Sequence, residues 1–260
     1  MATSCSSRWI AATARREESL LSIIIPALNE AKNLERLLPH LRVICPEAEV
    51  IVVDGGSEDG SSAVLRRFPW VRCLSNERGR ARQMNAGAKV ANGGVLLFLH
   101  ADILLPTEAE AAIAEAFRDP EIVAGRFDVR FDNLRPIFTV IAFFINLRSR
   151  LTKICTGDQA LFVRRQTFEE LGGYPDIPLM EDVELTKRLK GVGGMACLRL
   201  KVTASARKWE RDGILWTILL MWALRFLYFV GVSPDRLHRL YYGHEPSSDI
   251  KQSASSVRRS

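Results

Sequence analysis

The sequence is poor in cysteine and contains no motif built from it. Its five cysteines, Cys5, Cys45, Cys73, Cys155 and Cys197, are odd in number and never spaced as C-x-x-C. This pattern argues against a disulfide framework or a zinc site, and it is typical of reduced, mostly buried thiols in a cytosolic protein. The sequence also lacks a long run of lysine and arginine and any nucleic-acid-binding motif, so we expect no nucleic acid among its partners.

The N-terminus lacks the apolar segment that a secretory signal requires. Residues 1–19, MATSCSSRWIAATARREES, are small, basic and rich in serine and alanine. We expect them to form a disordered leader, although an organelle transit peptide and a misplaced start codon fit the same composition. We expect the polar residues 244–260 to form a disordered tail.

The overall composition is that of a globular protein. The chain has 260 residues, of which 47% are hydrophobic and 25% charged, and this length can bury a core in one domain. A formal net charge of +6 is consistent with an anionic partner such as a nucleotide or a phospholipid surface. Neither an internal repeat nor a Pro/Gly-rich linker interrupts the chain. We therefore expect one domain at residues 20–208 with a C-terminal attachment at residues 209–243.

From residue 21 onward, short β-branched runs alternate with helical patterns. LSIIIP, EVIVVDGG, VRCLS and VLLFLH are typical of strands, whereas NEAKNLERLLPHL, EDGSSAVLRRF and RARQMNAGAKVA are typical of helices, with caps at Asn29 and near Asp59. Later segments follow the same alternation, with strands IVAGRFDVRF and DQALFVRR and helices RPIFTVIAFFINLRSRL and MEDVELTKRLK. The pattern predicts an α/β fold with a Rossmann-like, mostly parallel central sheet and helices on both faces.

Polar residues gather where the first four predicted strands end. They occupy residues 26–30, 54–57 and 76–82, followed by His100 and Asp102. In doubly wound sheets, ligands bind in the crevice beyond the carboxyl ends of the strands. The sequence therefore predicts a binding site at this edge.

Each of these polar groups also has an ordinary structural interpretation. Asp54 precedes two glycines that permit close approach of a ligand, but D-G-G-S is also a turn signal. Asp102 could bind a divalent cation beside a diphosphate, or cap a helix beginning near residue 107. Glu181 and Asp182 could supply a general base, or favour the N-terminus of a helix by their charge. Arg80 and Arg82 could contact phosphate or remain solvated.

Taken together and in order, the motifs resemble those of family-2 glycosyltransferases with a GT-A fold. The resemblance covers residues 21–208 and rests on SIIIPALNE, VIVVDGGSEDGS, NAGA, VLLFLHAD and MEDVEL. The forms RGRARQMNAGA, LHAD and TGDQALFVRR are similar to a bacterial subgroup associated with arsenosugar biosynthesis.

The resemblance implies a role for particular residues. Asp182 is the expected catalytic base, with Glu181 beside it in the E-D pair. Asp54 is expected to hold the nucleoside base, and Asp102 matches the last Asp of the D-x-D metal motif. The remaining residues expected to contact the nucleotide are Pro26, Asn29, Glu30, Gly55, Gly56, Arg78, Arg82 and Asn85. ARKWERDG, residues 206–213, is similar to a later R-x-x-R-W element.

His100 departs from the family pattern, since many members carry the first Asp of the D-x-D motif there. A neutral imidazole can ligate a metal but adds no negative charge. The resemblance implies an inverting transfer from a nucleoside-diphosphate sugar to an acceptor hydroxyl, with Mg²⁺ or Mn²⁺ held by Asp102 and His100. A non-catalytic sugar-nucleotide-binding or membrane-scaffold protein is one alternative. A nucleotidyltransferase is another, although it usually opens with a Gly-rich loop bearing Arg and Lys, whereas this chain has PALNE.

Residues 213–232, GILWTILLMWALRFLYFVGV, form the longest apolar run. Their length suffices for a bilayer, but Arg225 in the middle makes insertion costly. The segment is expected to be an apolar helix that docks on a membrane surface, packs against protein, or spans. Surface docking would favour a lipid-like acceptor over a small metabolite and would place the protein at the cytoplasmic face of a membrane. Ile137 to Leu147 is expected to pack in the core or line an apolar acceptor groove.

Overall fold

The computed structural model describes residues 21–243, apart from the side chain of Lys208. The expected leader and tail lie outside these residues. Within the described range, residues 21–176 and 181–208 form one compact unit, and residues 177–180 and 209–243 form a second.

The first unit is built on an eight-stranded sheet with the strand order β3-β2-β1-β4-β7-β6-β8-β5. The strands are β1 (Leu21–Ala27), β2 (Glu49–Asp54), β3 (Arg72–Ser75), β4 (Val95–Phe98), β5 (Ile103–Leu104), β6 (Ile122–Phe131), β7 (Leu161–Arg164) and β8 (Gly194–Ala204). The helices of this unit are α1 (Ala31–Ile44), α2 (Ser61–Leu65), α3 (Arg80–Val90), α4 (Ala109–Ala116), α5 (Pro136–Thr152), α6 (Arg165–Glu170) and α7 (Glu181–Val192).

The prediction of a mostly parallel α/β sheet is confirmed. Strands β3, β2, β1 and β4 run parallel to one another, so their carboxyl ends share one edge. Strand β7 then pairs antiparallel with β4 and β6, while β6 and β8 are again parallel. The parallel half therefore forms the edge where the predicted polar loops meet.

Both faces of the sheet are covered by helices, because alternate strand residues are apolar on both sides. On one face, Ile23, Ile25 and Val52 pack in a core with the leucines of α1. On the other, Ile24, Ile51 and Val53 pack with Met84 of α3 and Leu185 of α7. Helices α3 and α7 therefore lie on the same face, and both begin near the polar edge.

The predicted cap at Asn29 and one strand boundary were wrong. The cap predicted near Asp59 is confirmed, since Gly60 is the N-cap of α2 and Asp59 Oδ1 accepts a hydrogen bond from the N–H of Ser61 at 3.0 Å. Helix α1 begins at Ala31, because Asn29 adopts a left-handed conformation at φ 56° and its side chain binds another loop. Asp59 Oδ2 also accepts a hydrogen bond from the backbone N–H of Ala31 at 3.0 Å. A residue of the loop after β2 therefore caps the first N–H group of α1. Strand β7 begins at Leu161, since residues 157–159 form a 3-10 turn.

The described cysteines are free thiols, and two of the four are buried. Cys45 and Cys155 lie in the core, Cys197 is half-buried and Cys73 is exposed. The expectation of mostly buried thiols therefore fails at Cys73, because β3 is the edge strand and shows most of its residues to solvent.

The second unit contains α9 (Ile214–Phe229) and α10 (Pro234–Tyr242), preceded by α8 (Arg207–Asp212) at the junction. Leu224 of α9 and Leu237 of α10 are buried. Helix α9 has 16 residues, fewer than the roughly 20 that cross a bilayer. Within residues 21–243, no helix combines the length and apolar character required to cross a membrane.

Gly87 tests how closely α3 packs on the sheet. A Cβ at this position would lie 2.5 Å from Ile24 Cγ2 and 3.2 Å from Val53 Cγ2. We expect Gly87→Ala to lower the free energy of unfolding by about 1 to 3 kcal/mol, because the core must shift to admit the methyl group. Gly191→Ala is the control, since nothing lies within 4 Å of its added Cβ and it should gain about 0.5 to 1 kcal/mol. Urea unfolding of both variants measures the contrast, and equal effects would contradict this packing.

Candidate active site

The first two loops of the polar edge are joined by hydrogen bonds. The backbone N–H of Asn29 donates to Ser57 Oγ at 2.8 Å, and Asn29 Oδ1 accepts from the N–H of Glu58 at 2.8 Å. The N–H of Glu30 donates to Ser61 Oγ at 3.1 Å. These bonds fix the loops after β1 and β2 as one wall of a crevice.

Asp54 and its glycines lie at the end of β2, as expected. The half-buried Asp54 carboxylate accepts hydrogen bonds from the N–H and Oγ of Ser57. Gly56 has φ 89°, a conformation that favours glycine, whereas the Cα of Gly55 is approached by Gln83. Buried Gln83 donates to the carbonyls of Ala27 and Val53, at 2.8 and 2.7 Å. Pro26, opposite Val53 in the ladder, is half-buried.

Two of the expected nucleotide contacts in the third loop are engaged by protein groups. Arg82 is exposed and pairs with Asp176 and Glu77, each at 2.9 Å. The Asn85 side-chain amide donates to the carbonyl of Tyr174 at 2.8 Å and accepts from its N–H at 2.9 Å. Arg78 is exposed. Asn85 therefore positions the backbone of Tyr174, and its role as a nucleotide contact stays a prediction.

Arg80, at the first position of α3, acts electrostatically on several acidic groups of the site, although only Arg78 and Arg82 were expected to contact the nucleotide. Burial raises the pKa values of Glu30, Asp102, Glu181 and Asp182, and the positive charge of Arg80 offsets part of this rise. An exposed cation this close to four acidic groups is suited to contact an anionic ligand among them. In the sequence, only its position beside a glycine in the first turn of a helix indicated a role for Arg80.

Asp182 and His100 meet across a glycine. If Gly157 carried a Cβ, that atom would lie 2.2 Å from His100 Cε1 and 3.0 Å from Asp182 Oδ2. Gly157 therefore lets the turn before β7 pass between the two side chains. Its backbone N–H also hydrogen-bonds Asp182 and favours the charged carboxylate. The sequence contained this turn as TGDQ, but nothing in that motif indicated that it would contact Asp182.

Burial gives Asp182 an unusual affinity for its proton. Desolvation, followed by the negative charge of Glu181, raises the pKa of Asp182 to about 8. Desolvation also raises the pKa of Glu181, whose side chain is buried at the start of α7. Tyr174 packs against Phe98 and hydrogen-bonds Asp182 through its phenol, and burial raises the pKa of that phenol. A carboxyl group with a pKa near neutrality matches the requirement for a general base.

Asp102 and His100 are the residues that could hold a cation. The Asp102 carboxylate is accessible to solvent, yet protein atoms crowd it, and this desolvation raises its pKa. Burial lowers the pKa of His100 to about 3, so its imidazole is neutral and can donate a lone pair. Within residues 21–243, no three His, Cys, Asp or Glu side chains are grouped as a complete metal site. One carboxylate and one imidazole nevertheless fit a cation that also takes ligands from phosphate and water.

A separate groove of about 530 Å³ lies between β6 and α5. Its apolar lining includes Val129, Phe131, Phe138, Ala142 and Leu147, and its polar lining includes Arg130, Arg150 and Lys201. Phe138 and Ala142 are buried, whereas Phe143 and Phe144 are exposed. The segment from Ile137 to Leu147 thus contributes both to the core and to the groove.

The sheet and the acidic groups at its parallel edge define an α/β protein with a candidate ligand site beyond the carboxyl ends of its strands. Residues 22–172 match glycosyl transferase family 2. This match covers more than half of the chain, and the chain belongs to that family. The fold is GT-A-like: mannosyltransferase PcManGT from Pyrobaculum calidifontis, solved with GDP-Man and Mn²⁺, aligns with a TM-score of 0.55 at 27% identity, over 71% of this chain and 56% of that one.

Two relatives show how far the similarity extends. The probable glycosyltransferase YdaM of Bacillus subtilis is 25% identical over 228 residues, which are 78% of this chain and 53% of YdaM. An undecaprenyl-phosphate 4-deoxy-4-formamido-L-arabinose transferase of Aeromonas hydrophila is 32% identical over 117 residues, which are 41% of this chain and 36% of that protein. The chain therefore spans only about a third to a half of the length of these two relatives.

The raised pKa of Asp182 predicts a change of stability with pH. The folded protein holds this proton up to about pH 8, whereas an unfolded Asp loses it near 3.9. Raising the pH from 4 to 8 therefore favours unfolding through this group. We expect Asp182→Asn to be as stable as the wild type near pH 4 and to melt roughly 2 to 4 °C higher for each kcal/mol gained by pH 8.

Thermal melts at pH 4, 6 and 8 measure this difference. Glu184→Gln is the control on the same helix, because its ion pairs with Arg188 and Lys187 are long, at 3.4 and 4.0 Å, and contribute little. A difference between Asp182→Asn and the wild type that is constant from pH 4 to 8 would contradict the account of Asp182.

Proposed function

We propose that the chain is an inverting glycosyltransferase, which moves a sugar from a nucleoside-diphosphate sugar to an acceptor hydroxyl. The observation that carries this proposal is the position of Asp182, beside His100 and the Gly157 turn, at the parallel edge that also holds Asp102 and Arg80. Family membership and the nucleotide-sugar complex of a related enzyme support it. The same findings do not favour a nucleotidyltransferase or a non-catalytic scaffold.

The proposed reaction is a single displacement. The Asp182 carboxylate takes the proton of the acceptor hydroxyl as the oxygen attacks the anomeric carbon, and the bond to the nucleoside diphosphate breaks on the opposite face. Arg80 lies where its charge would stabilise the departing diphosphate, and Arg207 acts on the same acidic groups, Glu30 and Asp102. Buried Glu181 acts through Asp182, since it raises the pKa of that group.

A divalent cation, Mg²⁺ or Mn²⁺, would be held by Asp102 and His100. When bound, it neutralises negative charge that grows on the leaving diphosphate. The Mn²⁺ in the PcManGT complex supports a cation in this family. Pro26, Asn29, Glu30, Asp54, Gly55 and Gly56 would line the nucleotide side of the crevice, with Arg78 at its edge.

We further propose that the acceptor is lipid-like. The apolar groove between β6 and α5 and the undecaprenyl-phosphate transferase among the relatives support it. The forms RGRARQMNAGA, LHAD and TGDQALFVRR further support membership of the arsenosugar-associated subgroup.

The α9 helix supports action at the cytoplasmic face of a membrane. Leu215, Leu219, Trp222, Phe226 and Phe229 are each more than 60% exposed. Their spacing of four and three residues places them on one side of the helix. An exposed apolar stripe of this kind, with tryptophan in it, is suited to the interface of a lipid bilayer.

Loss of the base should abolish most turnover. We expect Asp182→Asn to lower kcat/KM for sugar transfer by about 10²- to 10⁴-fold, while a nucleoside diphosphate still binds. In the wild type, kcat/KM should fall as the pH drops below the raised pKa of Asp182. The assay is release of nucleoside diphosphate from the donor, with Glu184→Gln as a control of unchanged rate. Full turnover by a folded Asp182→Asn protein would show that the base lies elsewhere.

The membrane proposal is tested by sedimentation with vesicles of phosphatidylglycerol and phosphatidylcholine. We expect the wild type to sediment with the vesicles. The double variant Leu219→Glu/Trp222→Glu should remain in the supernatant, because two charges would have to enter the apolar interface. Val43→Glu is the control, since Val43 is an exposed apolar residue of α1 in the first unit. Equal sedimentation of the wild type, the double variant and Val43→Glu would contradict surface docking. A wild-type protein that forms dimers and stays in the supernatant would contradict it as well.

A further inference from the structure

The groove between β6 and α5 runs toward the same edge of the sheet as the candidate active site. Strands β4 and β6 both pair antiparallel with β7, so they run in the same direction and their carboxyl ends share an edge. The last four residues of β6, Asp128 to Phe131, line the groove. The groove therefore lies beside the carboxyl-terminal part of β6, toward the edge that holds Asp182.

The chain after β6 links the groove to the acidic groups of this edge. Asp132 directly follows β6, and its Oδ1 accepts a hydrogen bond from the N–H of Ala206 at 2.8 Å. The residue after Ala206 is Arg207, whose positive charge offsets part of the rise that burial causes in the pKa values of Glu30 and Asp102. A molecule that extends beyond this end of the groove therefore approaches the groups to which the proposed transfer is assigned.

The groove combines a buried apolar lining with an accessible mouth. Val129, Phe138 and Ala142 are buried, whereas Phe143 and Leu147 are exposed to solvent along α5. Its volume of about 530 Å³ falls within the roughly 300 to 1,000 Å³ that is typical of small-ligand sites. An apolar chain can therefore enter from solvent and bury its surface against these side chains.

Cations outnumber carboxylates among the described residues of the groove. The charged residues that line it are Asp128, Arg130, Arg150 and Lys201. The Asp128 carboxylate is already bound by Arg150 and by buried Arg126. The next acidic residue along the chain, Asp132, lies 4.0 Å from Arg36 and outside the lining. The groove therefore carries a net positive charge.

Arg130 and Lys201 lie on one face of two adjacent strands. Lys201 is opposite Asp128 in the ladder between β6 and β8, and Arg130 is two residues beyond Asp128. Because successive side chains of a strand point to opposite faces, Arg130 and Lys201 share a face. Both are exposed, and Arg130 Nε donates to the neutral hydroxyl of Thr203 at 2.8 Å. Their charges can therefore converge on one anion that arrives from solvent.

We propose that this groove binds the acceptor as an anionic amphiphile, with a single apolar chain along Phe138 and Leu147 and an anionic group paired with Arg130 and Lys201. This inference rests on the proposed function and adds to it both the place of the acceptor chain and the charge of the acceptor. The apolar lining alone would suit a neutral chain equally well. The two exposed cations are what favour an anionic amphiphile over a neutral one.

The test is calorimetric titration of the full chain with monomeric farnesyl phosphate and with farnesol, in the presence of Mn²⁺ and a nucleoside diphosphate. We expect one farnesyl phosphate to bind per chain and farnesol to bind about 10- to 100-fold more weakly. Arg130→Gln and Lys201→Gln should each weaken farnesyl phosphate binding about 10-fold and leave farnesol binding unchanged. Leu147→Glu should weaken the binding of both, because its charge enters the apolar lining.

Two variants serve as matched controls and should bind both compounds as the wild type does. Lys89→Gln removes a charge in the last turn of α3, at the opposite edge of the sheet. Val140→Glu adds a charge at an exposed apolar position of α5 outside the groove lining. A difference between Leu147→Glu and Val140→Glu therefore reports on the groove rather than on the helix.

Equal affinity for farnesyl phosphate and farnesol, or unchanged binding in Arg130→Gln, Lys201→Gln and Leu147→Glu, would overturn the inference. Loss of vesicle sedimentation in Leu147→Glu, without any binding of monomeric farnesyl phosphate by the wild type, would also overturn it and assign the groove to a bilayer surface. Nucleoside-diphosphate binding is measured in the same proteins. If it persists where the amphiphile fails to bind, this inference fails and the proposed function stands.

Discussion

The burial of carboxyl groups at the parallel edge of the sheet, reinforced by repulsion among them, is the constraint on which the site depends. Burial is the main cause that raises the pKa values of Glu30, Asp102 and Asp182. Repulsion adds to it: Asp102 acts on Glu30, Asp158 acts on Asp102 and Asp182, and Glu181 acts on Asp182. Five acidic groups, located between the loop after β1 and the start of α7, therefore interact electrostatically. Arg80 and Arg207 offset part of this charge. The remaining negative charge favours a cation, and together with burial it explains why Asp182 retains its proton near neutral pH.

The sheet places this constraint where a nucleotide sugar can use it. Buried apolar residues on both faces of β1, β2 and β4 fix the direction of the strands, so the loops at their carboxyl ends must converge. Hydrogen bonds between Asn29 and the loop after β2 restrict the motion of both loops in the absence of a ligand. Preorganisation of this kind lowers the entropic cost of binding.

Local sequence patterns predicted the fold and the acidic side of the site, because each depends on residues close in the chain. Strand alternation predicted the parallel sheet. The acidic pair at a helix start predicted a general base or a helix cap, and the resemblance to family-2 glycosyltransferases then selected Asp182. The cap of α1 by Asp59 and the contact of Gly157 with His100 could not be read in the same way, since both join residues far apart. The hydrogen bond of Arg82 to Asp176, 94 positions away, could not be predicted for the same reason, and the nucleotide contact of Arg82 stays a prediction.

The central claim is that this edge binds a nucleoside-diphosphate sugar with a divalent cation. A thermal-shift panel of nucleoside diphosphates and sugar nucleotides, with and without Mn²⁺, tests it most directly. At 100 times its dissociation constant, a ligand should stabilise the full chain by about 2.7 kcal/mol. The account predicts a Mn²⁺-dependent shift with one nucleoside and its loss in Asp102→Asn. No shift with any nucleotide, in the presence or absence of Mn²⁺, would contradict it.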